Sequence, residues 1–287
     1  MDPTAPVPAA PPTPFQSRIR AAAHGLPDGW LGRRLASLAL RAVGGKAQRA
    51  FEVTVFGTQR ARLHPFDNIS EKRVFITEQF WERPEREALD AVLAACGERV
   101  RFADVGANAG LYTLFVAARC AARGQALEAV LVEPDPVMRD RASANLGLSG
   151  IDAAILPWAA AETRGTLALT LHTQNRGENS VETANADPDG AAIHVEARPL
   201  ADVFAALGGA PDVLKLDIEG AETRAIRGMV ETCEPALWPA FIQMEGAAGG
   251  RNDAAITMLR EAGYALVWQG RGNLLLKRAG QAEAATA

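Results

Sequence analysis

The chain has 287 residues, enough for one full-sized core in which about three quarters of the unfolded surface is buried. Hydrophobic residues make up 48% and charged residues 22%, which excludes a wholly disordered or fibrous protein. Thirty Lys and Arg against 34 Asp and Glu give a net charge of -4, which is not that of a dedicated nucleic-acid binder, and no nucleic-acid partner is expected.

Six prolines within residues 1–14 cannot join a helix interior or a core, so residues 1–14 read as a disordered tail, and the polar end at residues 281–287 as another. An N-terminal extension over residues 15–98 follows. It opens with helical patterns at Gln16–His24 and Trp30–Val43. Residues 1–50 hold seven Lys or Arg against two acids, so this arm carries +5 and the rest of the chain -9. A basic amphipathic arm suits docking on the acidic body and equally a weak peripheral contact with anionic lipid, with Arg33, Arg34 and Arg41 as the residues to test. Phe51–Phe56 and Ala61–Leu63 flank Gly57 as a small hairpin, and Pro84–Cys96 carries apolar residues at helical spacing. Cys96, Cys120 and Cys233 are far apart and odd in number, which argues against disulfides or a zinc site. The N-terminus lacks the basic start and apolar centre of a signal peptide, no apolar run reaches 18 residues, and a cytoplasmic location is expected.

From Val100 short apolar strands alternate with helices, the pattern of a parallel α/β sheet in one domain over residues 99–280. Strands are predicted at 100–105, 128–133, 152–157, 212–217 and 239–245, and helices at 110–122, 136–147, 221–231 and 252–262. Tyr264–Gln269 and Leu274–Arg278 are joined by a connection too short for a crossover helix, so the sheet ends in an antiparallel hairpin. The expected fold is therefore Rossmann-like and doubly wound, with a mostly parallel seven-stranded sheet. Dinucleotide dehydrogenases usually lack such a closing hairpin. Residues between the third and fourth predicted strands include two extra strands, Thr166–Thr173 and Ile193–Ala197, around a polar loop that could build a substrate pocket.

Asp104 to Gly110 (DVGANAG) follows the first strand and opens a helix, so its backbone amides are expected to face a ligand at the carboxyl end of the sheet. A dinucleotide fingerprint places glycine where Asn108 stands, and Asp104 would set a carboxylate beside a dianion. Both departures suit S-adenosylmethionine, whose ammonium and sulfonium a carboxylate favours. Gly106, Asn108 and Gly110 belong to this turn. Glu133 ends the second strand where an acid can accept hydrogen bonds from both ribose hydroxyls. After the third strand, Ala160 leaves room for a flat adenine and Glu162 could meet its amine, while Trp158 suits the core.

Asp212 to Glu222 (DVLKLDIEGAE) is the most distinctive stretch. On a strand Lys215 and Asp217 share a face, and a buried lysine there needs a carboxylate, as site or as structural ion pair. Glu245 ends the neighbouring strand and can reach the same crevice. His172 and His194 are further conceivable bases in the inserted region.

These motifs, with V-E-P at 132–134 and M-E at 244–245, resemble the FkbM-type methyltransferase family over roughly residues 68–278. The resemblance implies S-adenosylmethionine as donor, methylation of a hydroxyl on a sugar, glycolipid or polyketide, Asp217 as base or anchor with Glu245 next, and Lys215 in place of a metal ion. The segment Asn175 to Ser180 and Asp202 also resemble family elements, whereas Ala160-Ala161-Glu162 departs from the usual glycine-acid pair. A divalent-metal-dependent O-methyltransferase using Asp217, Glu219 and Glu245, and a non-catalytic nucleotide-binding Rossmann-like protein, are the competing readings.

Overall fold

The computed structural model describes residues 9–44, 47, 49–170, 192–246 and 252–280. His172, the segment 175–180, residues 1–8 of the expected tail and all of 281–287 lie outside them. The stretch read as a tail contains regular structure from Ala9 onward. Ala9–Ala10 (β1) pairs in parallel with Ala50–Val55 (β2), and helix α1 spans Pro14–His24. Thr13 Oγ1 accepts the Gln16 N–H at 3.3 Å while the Gln16 side chain accepts the Thr13 N–H at 2.9 Å. Thr13 and Gln16 thus form a capping box, with Pro14 in the first turn, where its missing N–H costs nothing.

Helix α2 (Trp30–Ala42) packs on α1, and β2 forms an antiparallel hairpin with Gln59–Leu63 (β3). Helices α3 (Ile69–Thr77) and α4 (Arg83–Ala95) complete the extension. The chain then runs through β4 (Arg99–Val105), α5 (Leu111–Arg123), β5 (Ala126–Val132), α6 (Pro136–Ser149) and β6 (Ala153–Leu156). An insertion supplies β7 (Trp158–Ala160), β8 (Gly165–Thr170) and β9 (Ala192–Arg198) before α7 (Leu200–Leu207) and β10 (Val213–Leu216). The remainder is α8 (Glu222–Thr232), β11 (Phe241–Glu245), α9 (Asp253–Glu261), β12 (Tyr264–Gln269) and β13 (Asn273–Arg278).

The main sheet has the order β12-β13-β11-β10-β4-β5-β6. Strands β6, β5, β4, β10 and β11 are mutually parallel, and β13 runs antiparallel between β11 and β12. This is the expected Rossmann-like doubly wound sheet with its closing hairpin. The chain steps outward from β4 to β6 and returns to β10 beside β4, so the strand order switches there, where such sheets open a ligand crevice at their carboxyl ends.

Side chains alternate between two apolar layers. Phe102, Val213 and Phe241 join a cluster with Leu89, Leu114 and the extension's Phe51 and Phe75, while Val105, Leu216 and Met244 face Phe204, Ile226 and Leu259. The boundary drawn at residue 98 therefore does not coincide with a gap in the core. Polar ties reinforce the join: Arg141 of α6 holds Asp67 and the fully buried Glu71 of α3, each at 2.7 Å. Sheet β7-β9-β8 forms a separate small layer, braced where Asp202 of α7 pairs with Arg164 at 2.7 Å and Arg198 at 3.2 Å. Among the described residues no helix is long and apolar enough to cross a membrane.

Candidate functional site

The turn after β4 is set by backbone conformation. Gly106, Asn108 and Gly110 adopt φ of 79°, 51° and 76°, the left-handed region that glycine enters freely and asparagine tolerates. Gly106 is held there by a close approach as well, since a Cβ on it would lie 1.8 Å from the carbonyl oxygen of Asp217. The glycine turn and the tip after β10 are thus in backbone contact.

The amides of this turn point inward, contrary to the expectation that they face a ligand. Gly106 and Ala107 N–H donate to the Val132 carbonyl at 2.9 and 3.1 Å, and Gly110 N–H donates to the Ala107 carbonyl at 2.8 Å. Asn108 N–H donates to Glu133 Oε2 and Ala109 N–H to Asn108 Oδ1, both at 2.8 Å. A phosphate cradle needs such donors free, and all five are engaged within the chain.

Glu133 sits just after β5, 6% exposed, and its other oxygen accepts the Asp135 N–H at 2.9 Å. Burial pushes its carboxyl up to about 7 against the pull of these two amide donors.

A polar row crosses the floor of the crevice. Asp104, Lys215 and Gln243 are register partners on β4, β10 and β11, so their side chains share one face. Lys215 Nζ lies 3.1 Å from Asp217 Oδ2, 3.9 Å from Asp104 Oδ1 and 4.8 Å from the centroid of the Tyr112 ring. Burial disfavours the ammonium, but Asp217, Asp104 and Glu82 outweigh it and hold its pKa above the ordinary lysine value. Tyr112 donates its hydroxyl to Glu82 Oε2 at 2.5 Å, and Gln243 Nε2 reaches the same hydroxyl at 3.5 Å. Burial raises the pKa of Glu82 and of Tyr112 alike. Glu82 itself adopts φ of 41° at the entry to α4, an uncommon conformation for a glutamate. Beyond Asp217, the buried carboxylate of Glu222 accepts the Ile218 and Gly220 N–H at 2.9 and 3.0 Å and shapes the turn.

These groups line a cleft of about 290 Å³. Of the residues singled out in the sequence, it brings together Gly106, Asn108, Glu133, Ala160, Lys215, Asp217, Glu219 and Glu245. Asp104, Gly110 and Glu162 do not line it. Asp104 is fully buried, its carboxylate taking the Thr113 hydroxyl at 2.8 Å, so it counters Lys215 from beneath rather than forming a cofactor wall. Gly110 caps α5, and Glu162 pairs with Arg227 at 3.4 Å. His194 stands exposed on β9 and is not in the lining. Trp158, read as core, forms part of the wall with Ala159 and Leu169. Sequence reasoning missed Ser70, Trp81, Glu82, Tyr112 and Asn273, which also line it. None carries a local motif, and three come from the extension. Among the described residues no group of three His, Cys, Asp or Glu side chains is placed to hold a metal ion.

A doubly wound, mostly parallel seven-stranded sheet closed by a reversed strand is the architecture of the class I methyltransferases. Residues 104–266, more than half of the chain, match the methyltransferase FkbM domain, and the chain belongs to that family. Among solved structures it is similar to a methyltransferase FkbM from Methylobacillus flagellatus KT, at 17% identity and a TM-score of 0.39, over 74% of this chain and 55% of that one. It therefore spans little more than half the length of that protein. A SAM-dependent methyltransferase from Agrobacterium tumefaciens matches at 12% identity and a TM-score of 0.42, over 80% and 69% of the two chains. A Pyrococcus abyssi tRNA (uracil-54, C5)-methyltransferase in complex with S-adenosyl-L-homocysteine matches at 10% identity and a TM-score of 0.42, over 79% and 43%. No curated protein matches the sequence.

Proposed function

We propose that this chain methylates a hydroxyl of a sugar, glycolipid or polyketide-like small molecule with S-adenosylmethionine as donor, acting in the cytoplasm, where its three free thiols suit a reducing environment. One observation carries the cofactor reading. The five amides of the 106–110 turn are bonded within the chain, so the turn offers a closely packed surface and no phosphate cradle. Glu133 presents a buried carboxylate to the cleft, suited to accept ribose hydroxyls, and Ala159 and Ala160 leave space for a flat base. When bound, S-adenosylmethionine supplies an electrophilic methyl on a positively charged sulfur.

The remaining chemistry falls to side chains. An alcohol with a pKa of about 16, like that of water, is a poor nucleophile until a positioned base takes its proton. Asp217 stands at the central strand tip with a side chain 40% exposed, the most accessible carboxylate of the Lys215 cluster. Lys215 binds Oδ2 and orients the group, while Oδ1 has no bonding partner among the described residues. Glu245 on the adjacent strand is the next candidate. Holding the hydroxyl in line with the methyl contributes powers of ten without covalent help.

Calorimetry against S-adenosylmethionine and NAD tests the cofactor. Micromolar-range binding of the former is expected, weakened by Glu133→Ala through loss of a contact worth roughly 1.5–3 kcal/mol. Heat with NAD alone overturns it. A screen of cell glycans and lipids with labelled donor tests the acceptor, and label found on amines or nucleic acid overturns the hydroxyl assignment.

A further inference from the structure

Helix α2 carries three distinct faces. Gly32, Ala36 and Leu40, followed by Val43 just past the helix end, recur every three or four residues and are buried against the body. Leu31, Leu35 and Leu38 form a second stripe at the same spacing, about a third of a turn away, yet remain 59%, 41% and 56% exposed. Trp30 at the start of the helix is 72% exposed. Arg34 and Arg41, a heptad apart, run along one border of the leucine stripe, and the Arg34 guanidinium lies 5.4 Å from the centroid of the Trp30 ring. Neighbouring α1 adds Phe15, 64% exposed, and neither helix contains an acidic residue. The sequence alternatives of a docked arm and a lipid-facing arm are thus not exclusive: one face docks while the faces beside it stay apolar and basic.

We propose that α2 lies on an anionic lipid surface, its leucine stripe in the acyl boundary and Arg34 and Arg41 among the headgroups. Three observations choose this occupant. A run of large apolar side chains left in water is costly and marks an interaction surface. Leucines bordered by arginines, with tryptophan beside them, match the gradient from acyl chain to headgroup. The arm carries +5 and the rest of the chain -9, so an anionic surface attracts this end and repels the other. A second copy of the chain docked face to face would instead oppose arginine to arginine.

Flotation of the full chain with vesicles tests this. Binding to phosphatidylcholine vesicles containing phosphatidylglycerol is expected, with at least tenfold weaker binding to phosphatidylcholine alone. Leu31→Ser/Leu35→Ser/Leu38→Ser should keep the melting temperature, because these side chains are exposed, and lose flotation. Arg34→Glu/Arg41→Glu should cut binding to the anionic vesicles tenfold or more and leave it less dependent on salt. A blue shift of tryptophan emission on adding anionic vesicles, absent in Trp30→Phe, reads the same contact without altering the stripe. The proposal is overturned if anionic vesicles do not bind, if both vesicle types bind equally, or if the triple-serine variant floats unchanged. It is equally overturned if light scattering finds a dimer that this variant dissolves and that has no vesicle affinity.

Discussion

Replacing Gly106 by alanine strikes the point where the glycine turn after β4 meets the tip after β10. The new Cβ would lie 1.8 Å from the Asp217 carbonyl oxygen, 2.8 Å from its carbon and 3.2 Å from Ile218 Cγ2. Two of these are backbone atoms and cannot swing aside. Since Cβ atoms essentially never approach within 3.0 Å, the turn and the tip must part by about 1.2 Å. A left-handed φ of 79° adds about 1–2 kcal/mol for a non-glycine residue, and forced separation of packed groups about 1–3 kcal/mol. Gly106→Ala is thus expected to cost roughly 2–5 kcal/mol, lowering the melting temperature by roughly 4–20 °C. Gly124→Ala is the control, because Gly124 has φ of 68° with nothing within 4 Å and should show only the backbone cost. Calorimetry on the same preparations should find S-adenosylmethionine binding lost at Gly106→Ala and kept at Gly124→Ala. Equal melting and equal binding in the two variants would refute the close-approach reasoning.

Asp217→Asn should nearly preserve cofactor affinity and cut turnover about a hundredfold or more, measured with the acceptor the labelled-donor screen finds. A fall in melting temperature that alone accounts for the lost activity would make Asp217 a structural partner of Lys215 and move the base to Glu245. The Glu133 carboxyl is raised to about 7 from an ordinary 4.5, so the folded state holds this proton longer than the unfolded one. Its contribution to stability is full below about pH 4.5 and lost as pH rises to 7, whereas cofactor affinity should rise over the same range; Glu133→Gln should flatten both profiles in thermal melts and calorimetry. Glu71 has the opposite sign: burial opposes its charge, but Arg141 and His64 prevail and hold it down to about 2. Its contribution is present above about pH 4.5 and lost on acidification toward 2, and Arg141→Met should cost about 3–5 kcal/mol in urea denaturation by leaving that carboxylate unpaired.

Much of this protein is legible in local pattern. Alternating strands and helices from residue 99 onward, the short link before β13 and the glycine turn depend on which neighbouring residues share a face, and periodicity reports that directly. Lys215 and Asp217 sit two apart on a strand, so their shared direction needs no tertiary information. Other features depend on packing between distant segments. Asp104 looks in sequence like a ligand, and only the register of β4 against β10 turns it beneath Lys215. Glu82 carries no motif and reaches the cleft because α4 packs against α5, bringing its carboxylate to Tyr112, 30 residues away. The glycine turn announces a tight bend, but whether its amides serve a ligand or the chain itself was decided by the Val132 carbonyl and the Glu133 carboxylate on the next strand. Sequence determines which groups are available and which face they share; the partner each hydrogen bond takes is a matter of distance, and distance between remote segments exists only once the core has closed.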